Sequence, residues 1–385
     1  MGILVAGGPA PGINSAIHAC AAKARNNGLQ VVGFIEGFEH ILSGSIKRHA
    51  LTDMELDGIH LVGGSIIQQS RANLLDFNGV PDMGKISRAV SVFDREGISR
   101  LVTIGGDDTA FSAHLVARHS GGRIRVVHVP KTIDNDLPLP EGMPTFGFAT
   151  AVEVATREVV NLMQDAHATN RWYIVVIMGR TAGHLALHTM VASGASVVLI
   201  PEEFREEYIS FARAADVLYG RISAFRTFRK ITHGVAIVSE GIGYKIRRED
   251  FNFLPGAKIA FDEAGHLRMS EVPLAHLFRR KLEELETSVP GKRIAFIENN
   301  IGYEIRSAPP VASDIMYTQL LGNGAVGYLL QDENIPGGAM ITIRGGKPVP
   351  ISLSSLLGDS GKIAVRVVDT SSYLFKTARM RMEVK

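Results

Sequence analysis

The chain has 385 residues, which suggests about two α/β-sized units rather than one small core. Lys and Arg total 41 against 39 Asp and Glu, and the formal net charge of +2 carries no electrostatic footprint for nucleic acid. With 45% hydrophobic and 21% charged residues, global disorder is excluded too. The single cysteine, Cys20, leaves no intrachain disulfide and no multi-cysteine metal site, which fits a reducing cytosol. The longest apolar stretch, residues 172–178, is strand-sized and far below the ~18 residues of a membrane helix. Met1 leads directly into Gly2-Ile3-Leu4-Val5-Ala6 with no basic leader, so a cytoplasmic protein with no membrane or nucleic-acid partner is expected.

In chain order, buried Val- and Ile-rich strands are predicted at 3–6, 31–34, 101–104, 126–129, 173–178, 197–200, 235–238 and 294–297. Helical patterns lie between them, including 14–26, 109–119, 150–168, 207–228, 273–286 and 313–329. Alternating strands and helices imply βαβ units and parallel sheets with helices on both faces. The fold class is therefore α/β. Leu137-Pro138-Leu139-Pro140 interrupts the pattern and places a change of unit near 140–150. Residues 241–270 and 331–361 are glycine-rich and charged, and no regular element is assigned to them.

Ligands of doubly wound sheets bind at the carboxyl ends of the strands, and four such ends carry unusual chemistry. The first is Gly7-Gly8-Pro9-Ala10-Pro11-Gly12-Ile13-Asn14, which suits either an anion-cradling loop or a tight strand-to-helix turn. Pro9 rules out a dinucleotide Gly-x-Gly-x-x-Gly, and no Gly-Lys-Ser/Thr follows. The second, Gly105-Gly106-Asp107-Asp108-Thr109, can offer a carboxylate to a metal–phosphate complex; the alternative is that an acid caps the helix, a role one Asp would satisfy. The third, Pro130-Lys131-Thr132-Ile133-Asp134-Asn135-Asp136, sets two carboxylates beside a lysine. There a carboxylate can accept a hydroxyl proton while the lysine neutralises phosphate. The alternative is an Asx-rich turn with solvated charges. The fourth is Met178-Gly179-Arg180, with Arg171 at the other end of the same strand. Supporting segments are Gly63-Gly64-Ser65 through Arg71, Ser239-Glu240-Gly241 and Tyr303-Glu304-Ile305-Arg306, whose arginines suit phosphate.

Taken together, these motifs in this order resemble the phosphofructokinase family from Gly7 to about Leu330. The resemblance implies two doubly wound, Rossmann-like parallel-sheet domains with the active site in the cleft between them. It implies a phosphoryl-donor domain at 1–145 with a segment from about 305, and a sugar-phosphate domain at 146–304. Residues 331–385 form a C-terminal extension with no motif to carry over.

The family transfers a phosphoryl group to the 1-hydroxyl of fructose 6-phosphate. Carried over by position, Asp134 is the base for that hydroxyl. Asp107 is the carboxylate associated with Mg²⁺, and Asp136 is its neighbour in the catalytic cluster. Thr132, Asp134, Arg171, Met178, Gly179, Arg180, Glu240, Tyr303 and Arg306 match sugar-phosphate positions, and the catalytic set is Asp134, Lys131, Asp108, Asp136 and Arg180. Gly7, Gly8, Arg71, Gly106, Asp107, Asp108 and Lys131 match donor positions. Arg171 matches an arginine that reaches a neighbouring subunit in bacterial relatives, which implies a homodimer or homotetramer. A second such arginine is replaced by Ile297, with Arg268 or Arg293 as substitutes.

The donor follows from two departures. Enzymes that use ATP usually read Gly-Gly-Asp-Gly and Pro-Gly-Thr-Ile-Asp-Asn-Asp, whereas here Asp108 and Lys131 stand in place of a glycine in each. Both changes resemble the pyrophosphate-dependent type. A carboxylate where an α-phosphate would lie repels ATP, and Lys131 adds positive charge for the shorter donor. Because pyrophosphate hydrolysis releases about as much energy as the new phosphoester holds, the family reaction is reversible and serves glycolysis or gluconeogenesis. The competing expectations are an ATP-dependent enzyme and a non-catalytic regulatory subunit of the same fold.

Three other features are read as structural. His184 and His188 are spaced i,i+4 but residue 185 is Leu, so helix packing is expected rather than zinc. Cys20 belongs to an alanine-rich helix core. The basic run 221–230 is a solvated helix face.

Overall fold

The computed structural model describes residues 1–252, 269, 272–287, 293–331, 335–359 and 361–383. The chain divides into two compact units, Met1–Ala151 with Ile305–Arg366, and Val152–Glu304 with Val367–Lys385. Among the described residues the strands are β1 (Gly2–Val5), β2 (Val32–Phe34), β3 (Arg48–Ala50), β4 (Arg100–Gly105), β5 (Arg125–Pro130), β6 (Trp172–Ile177), β7 (Val197–Leu199), β8 (Gly234–Ser239), β9 (Phe296–Ile301), β10 (Ala339–Arg344) and β11 (Lys347–Ser352).

In the first unit the sheet order is β11-β10-β5-β4-β1-β2-β3. The five central strands run parallel, and β3 and β11 pair antiparallel at the two edges. Side chains alternate between two covered faces, as a parallel sheet requires. Ile3, Val5, Val102 and Val127 pack under the helices Ile13–Arg25 and Ala312–Leu330, whereas Leu4, Leu101 and Val126 pack under Met83–Arg95 and Asp107–His119. Each such side chain, taken fully out of water, contributes ~1.5–3 kcal/mol. The order in which successive strands are added reverses at β1, which lies between β2 and β4. The ends of β1 and β4 therefore flank the switch point, where ligands of such sheets bind.

The second unit carries the all-parallel sheet β7-β8-β6-β9. Every residue of β6 is buried, and Trp172 packs edge-on against Phe225 of the helix Phe211–Arg229. Here β6 sits between β8 and β9, so the ends of these three strands adjoin.

All eight predicted strands appear, the last displaced to Phe296–Ile301. Three more appear without having been predicted. β3 has an exposed three-residue sequence with no apolar pattern. β11 contains Pro348 and Pro350, which a sheet tolerates only at an edge such as this one. Together with β10 it builds residues 339–352 into the first sheet. The division of units falls between Ala151 and Val152, inside the helix Phe148–Thr169. Much of 241–270, and Arg268 with it, lies outside the described residues.

Candidate active site

The loop after β1 is built around positive φ at Gly7 (84°) and Gly12 (93°), which glycine adopts without strain. The Gly7 N–H donates to Ser70 O at 2.9 Å, and a parallel bridge joins Ala6 to Ser70, so the exposed Arg71 starts beside this loop. Asn14, the last residue of the motif, supports the neighbouring segment. Its Nδ2 donates to Val62 O and Gly63 O at 3.2 Å each, and its Oδ1 accepts from Ile66 N at 2.8 Å. Across Gly8 lies the guanidinium of Arg306: a Cβ there would stand 3.1 Å from Arg306 Cζ and closer still to Nη2.

Lys131 joins two of the strand ends. Its backbone N–H donates to Gly105 O at 2.8 Å, and its ammonium donates to Gly8 O. The side chain is buried, and its Nζ lies 3.3 Å from the position a Cβ of Gly7 would take. The helix Asp107–His119 is capped by Gly106, with no side-chain cap bond. Neither acid is thus used as the cap; Asp107 and Asp108 occupy the first two helical positions, Asp107 half-buried and Asp108 exposed. Negative charge there is favoured by the helix dipole, by ~0.3–1 kcal/mol.

His128 on β5 is a residue that the sequence motifs do not flag. Its Nε2–H donates to Gly105 O at 2.9 Å, and its Nδ1 accepts from Thr103 Oγ1 at 2.9 Å. Complete burial pushes its pKa down to about 3, so it is a neutral strut behind the β4 end at ordinary pH.

The acidic loop after β5 is buried, with Thr132, Asp134, Asn135 and Asp136 each under one-tenth exposed. A solvated Asx turn does not describe it. The Asp134 N–H donates to Thr132 Oγ1 at 3.0 Å, Thr145 Oγ1 donates to Thr132 O at 2.6 Å, and the Thr145 N–H donates to Asn135 Oδ1 at 3.1 Å. Asn135, between the two carboxylates, is left-handed at φ 56°.

In the second unit the ends of β6, β8 and β9 surround a cavity of about 200 Å³ lined by Met178, Glu240, Asn300 and Tyr303 among others. Glu240 fastens the β6 end: one carboxylate oxygen accepts from the N–H groups of both Gly179 and Arg180 at 3.1 Å. Arg180, at φ 50°, is exposed and so is Tyr303. The structure thus groups Met178, Gly179, Arg180, Glu240 and Tyr303. It does not bring Arg171 to them. Arg171 precedes β6, at the opposite end of a six-residue strand about 20 Å long, beside Tyr173.

The three features read as structural lie as follows. Cys20 is fully buried, and burial pushes its thiol up to about 12. His188 Nδ1 bonds to His184 O at 2.8 Å within its helix, and no three His, Cys, Asp or Glu side chains converge on a metal position among the described residues. In the basic run, Arg221 pairs with Glu203 and Arg226 with the buried Glu286, so that face is partnered as well as solvated. Among the described residues no helix is long and apolar enough to cross a membrane.

Comparison with known proteins places the chain in a family. A protein of Thermotoga maritima named "Pyrophosphate--fructose 6-phosphate 1-phosphotransferase" is 46% identical over 387 residues, covering 99% of this chain and 90% of that protein. A protein of Naegleria fowleri with the same name is 43% identical over 390 residues, covering 99% and 87%. Among solved structures, the phosphofructokinase of Pichia pastoris in the T-state superposes with a TM-score of 0.70 at 23% identity, a likeness of fold alone. That match covers 92% of this chain, which spans only 35% of the Pichia polypeptide. The family model described as "Phosphofructokinase" matches residues 1–329, and with the glycine loops, acidic loop and Met-Gly-Arg turn all in place, the chain belongs to the phosphofructokinase family.

Proposed function

We propose that this chain transfers a phosphoryl group from pyrophosphate to the 1-hydroxyl of fructose 6-phosphate, giving fructose 1,6-bisphosphate and phosphate in a reversible, Mg²⁺-dependent reaction. The observation that carries this reading is the Lys131 ammonium on Gly8 O, over the glycine loop, with Asp108 exposed at the start of the helix after β4. The names of the two full-length relatives support the same donor. The first unit is the donor domain and the second holds the sugar phosphate.

Asp134 takes the proton of the 1-hydroxyl. The hydroxyl oxygen's electron pair forms the new P–O bond, and the bridging P–O bond of pyrophosphate breaks with its pair leaving on phosphate. Lys131 and Arg71 stabilise charge on the moving and departing groups, and Asp136 and Arg180 complete the cluster; positioning and electrostatics supply most of the acceleration in such transfers. Thr132, Met178 and Gly179 shape the sugar site, where Glu240 holds the turn. Arg306 and Tyr303 bind the 6-phosphate, and Arg171 serves a neighbouring subunit of a cytoplasmic homo-oligomer.

Asp107 suits a Mg²⁺ ion. A Cβ on the adjacent Gly106 would meet nothing nearer than Lys131 O at 3.7 Å, so a phosphate oxygen can approach the backbone beside Asp107, and Mg²⁺ takes one or two carboxylates with phosphate oxygens and water. When bound, the ion supplies neutralisation of the donor's negative oxygens.

The test is a comparison of donors. Initial rates with fructose 6-phosphate and either pyrophosphate or ATP, and with fructose 1,6-bisphosphate and phosphate, should show turnover with pyrophosphate in both directions and poor turnover with ATP. Asp108→Gly should raise kcat/KM for ATP, and Lys131→Gly should lower kcat with pyrophosphate. If neither change nor the pair alters ATP turnover, Asp108 and Lys131 do not select the donor.

A further inference from the structure

We propose that Arg366, from the C-terminal section in which no motif was found, is a positioning residue that holds residues 132–136 in their reactive shape. This rests on the phosphoryl-transfer reading above. Arg366 Nε and Nη2 both donate to Asn135 O, at 3.1 and 3.0 Å, and Nη2 also donates to the Asn135 side-chain oxygen. Its Nη1 donates to Met143 O at 2.9 Å, and its backbone N–H donates to Asp136 O at 2.6 Å. The fork therefore grips the one left-handed residue between Asp134 and Asp136 from both its carbonyl and its side chain. Thr145 bonds the same Asn135 oxygen from another side. Asparagine is one of the few non-glycine residues that enters the left-handed region, and the Asn135 peptide sets how the two carboxylates diverge. The guanidinium's hydrogen bonds go to Asn135 and to Met143 in the segment following, and its charge also faces Asp136 and Tyr317, so Arg366 acts through the shape of this loop. The planar fork is what makes the double contact, and a lysine cannot reproduce it.

The experiment compares wild type, Arg366→Lys and Arg366→Ala by thermal melting, steady-state kinetics and amide hydrogen exchange of peptides covering 132–136. Exchange in that loop should quicken by about tenfold or more in both variants. kcat with pyrophosphate should fall by about 100-fold while KM for either substrate stays within about threefold. Millimolar guanidinium chloride should restore part of the turnover of Arg366→Ala and none of that of Arg366→Lys. The proposal is overturned if a folded variant exchanges these amides like wild type, if the loss falls on KM, or if Arg366→Lys retains full turnover. Should wild type itself fail to turn over pyrophosphate, the functional reading fails, and the exchange measurement alone decides whether Arg366 holds the loop.

Discussion

Replacing Gly8 with alanine tests whether Arg306 works where the structure puts it. The new Cβ would stand 3.1 Å from Arg306 Cζ and 3.6 Å from Nε, with Nη2 inside van der Waals contact. The backbone need not move, because Gly8, unlike Gly7, is outside the left-handed region. Alanine should even favour the folded state by ~0.4–1 kcal/mol through the unfolded chain. What must move is the tip of a flexible side chain, by about 1 Å, a displacement that is cheap for stability but large for an oriented phosphate contact. A hydrogen bond to a charged group is worth ~1.5–3 kcal/mol, and at about 1.4 kcal/mol per decade its loss corresponds to a fall of about 10- to 150-fold. Steady-state assays should find that fall in kcat/KM for fructose 6-phosphate, with a melting temperature no lower than wild type. In an Arg306→Ala background, with pyrophosphate saturating, the substitution should add nothing to the loss in kcat/KM for fructose 6-phosphate, since the displaced group is already gone. A Gly8→Ala effect of full size in that background would falsify the assignment.

Three further outcomes are expected. Asp134→Ala should lower kcat by about 10²- to 10⁴-fold with little change in KM; near-normal turnover would remove Asp134 as the base. His128 is pushed down to about 3 in the fold against an ordinary 6.5, so the unfolded chain binds more protons between those values and stability is lost as pH falls below 6.5. In urea titrations from pH 7 to 5, the slope of stability against pH should drop by up to about 1.4 kcal/mol per unit in His128→Gln; equal slopes in the two proteins would mean that His128 takes up its proton as readily folded as unfolded. Cys20, buried and pushed up to about 12, should be inert to a thiol reagent at pH 8 until denaturant is added, and rapid labelling of the native protein would contradict its placement.

Much of this chemistry was legible without coordinates, because it is local. The strands 3–6, 101–104, 126–129 and 173–178 are short buried runs, each followed within a few residues by its glycines, acids or Met-Gly-Arg turn, so neighbouring letters are enough to mark strand ends with the chemistry for a ligand. That Asn14 is a support for 62–66, that Glu240 holds the Gly179 and Arg180 amides, and that His128 braces Gly105 could not be read the same way. Each motif letter says which group is present; which atom it bonds depends on register between strands far apart in the chain.

The sequence by itself determined the α/β class, the order of the strand ends and the kinds of group each one carries. Only the tertiary structure decided that β10 and β11 extend the first sheet, that Arg306 lies on Gly8, and that Arg366 reaches back 231 residues to Asn135. The physical reason is range. Hydrophobic periodicity and turn chemistry act over a few residues, whereas an edge strand interrupted by prolines, or an arginine that finds its carbonyl across the fold, has no local signature and is specified by packing alone.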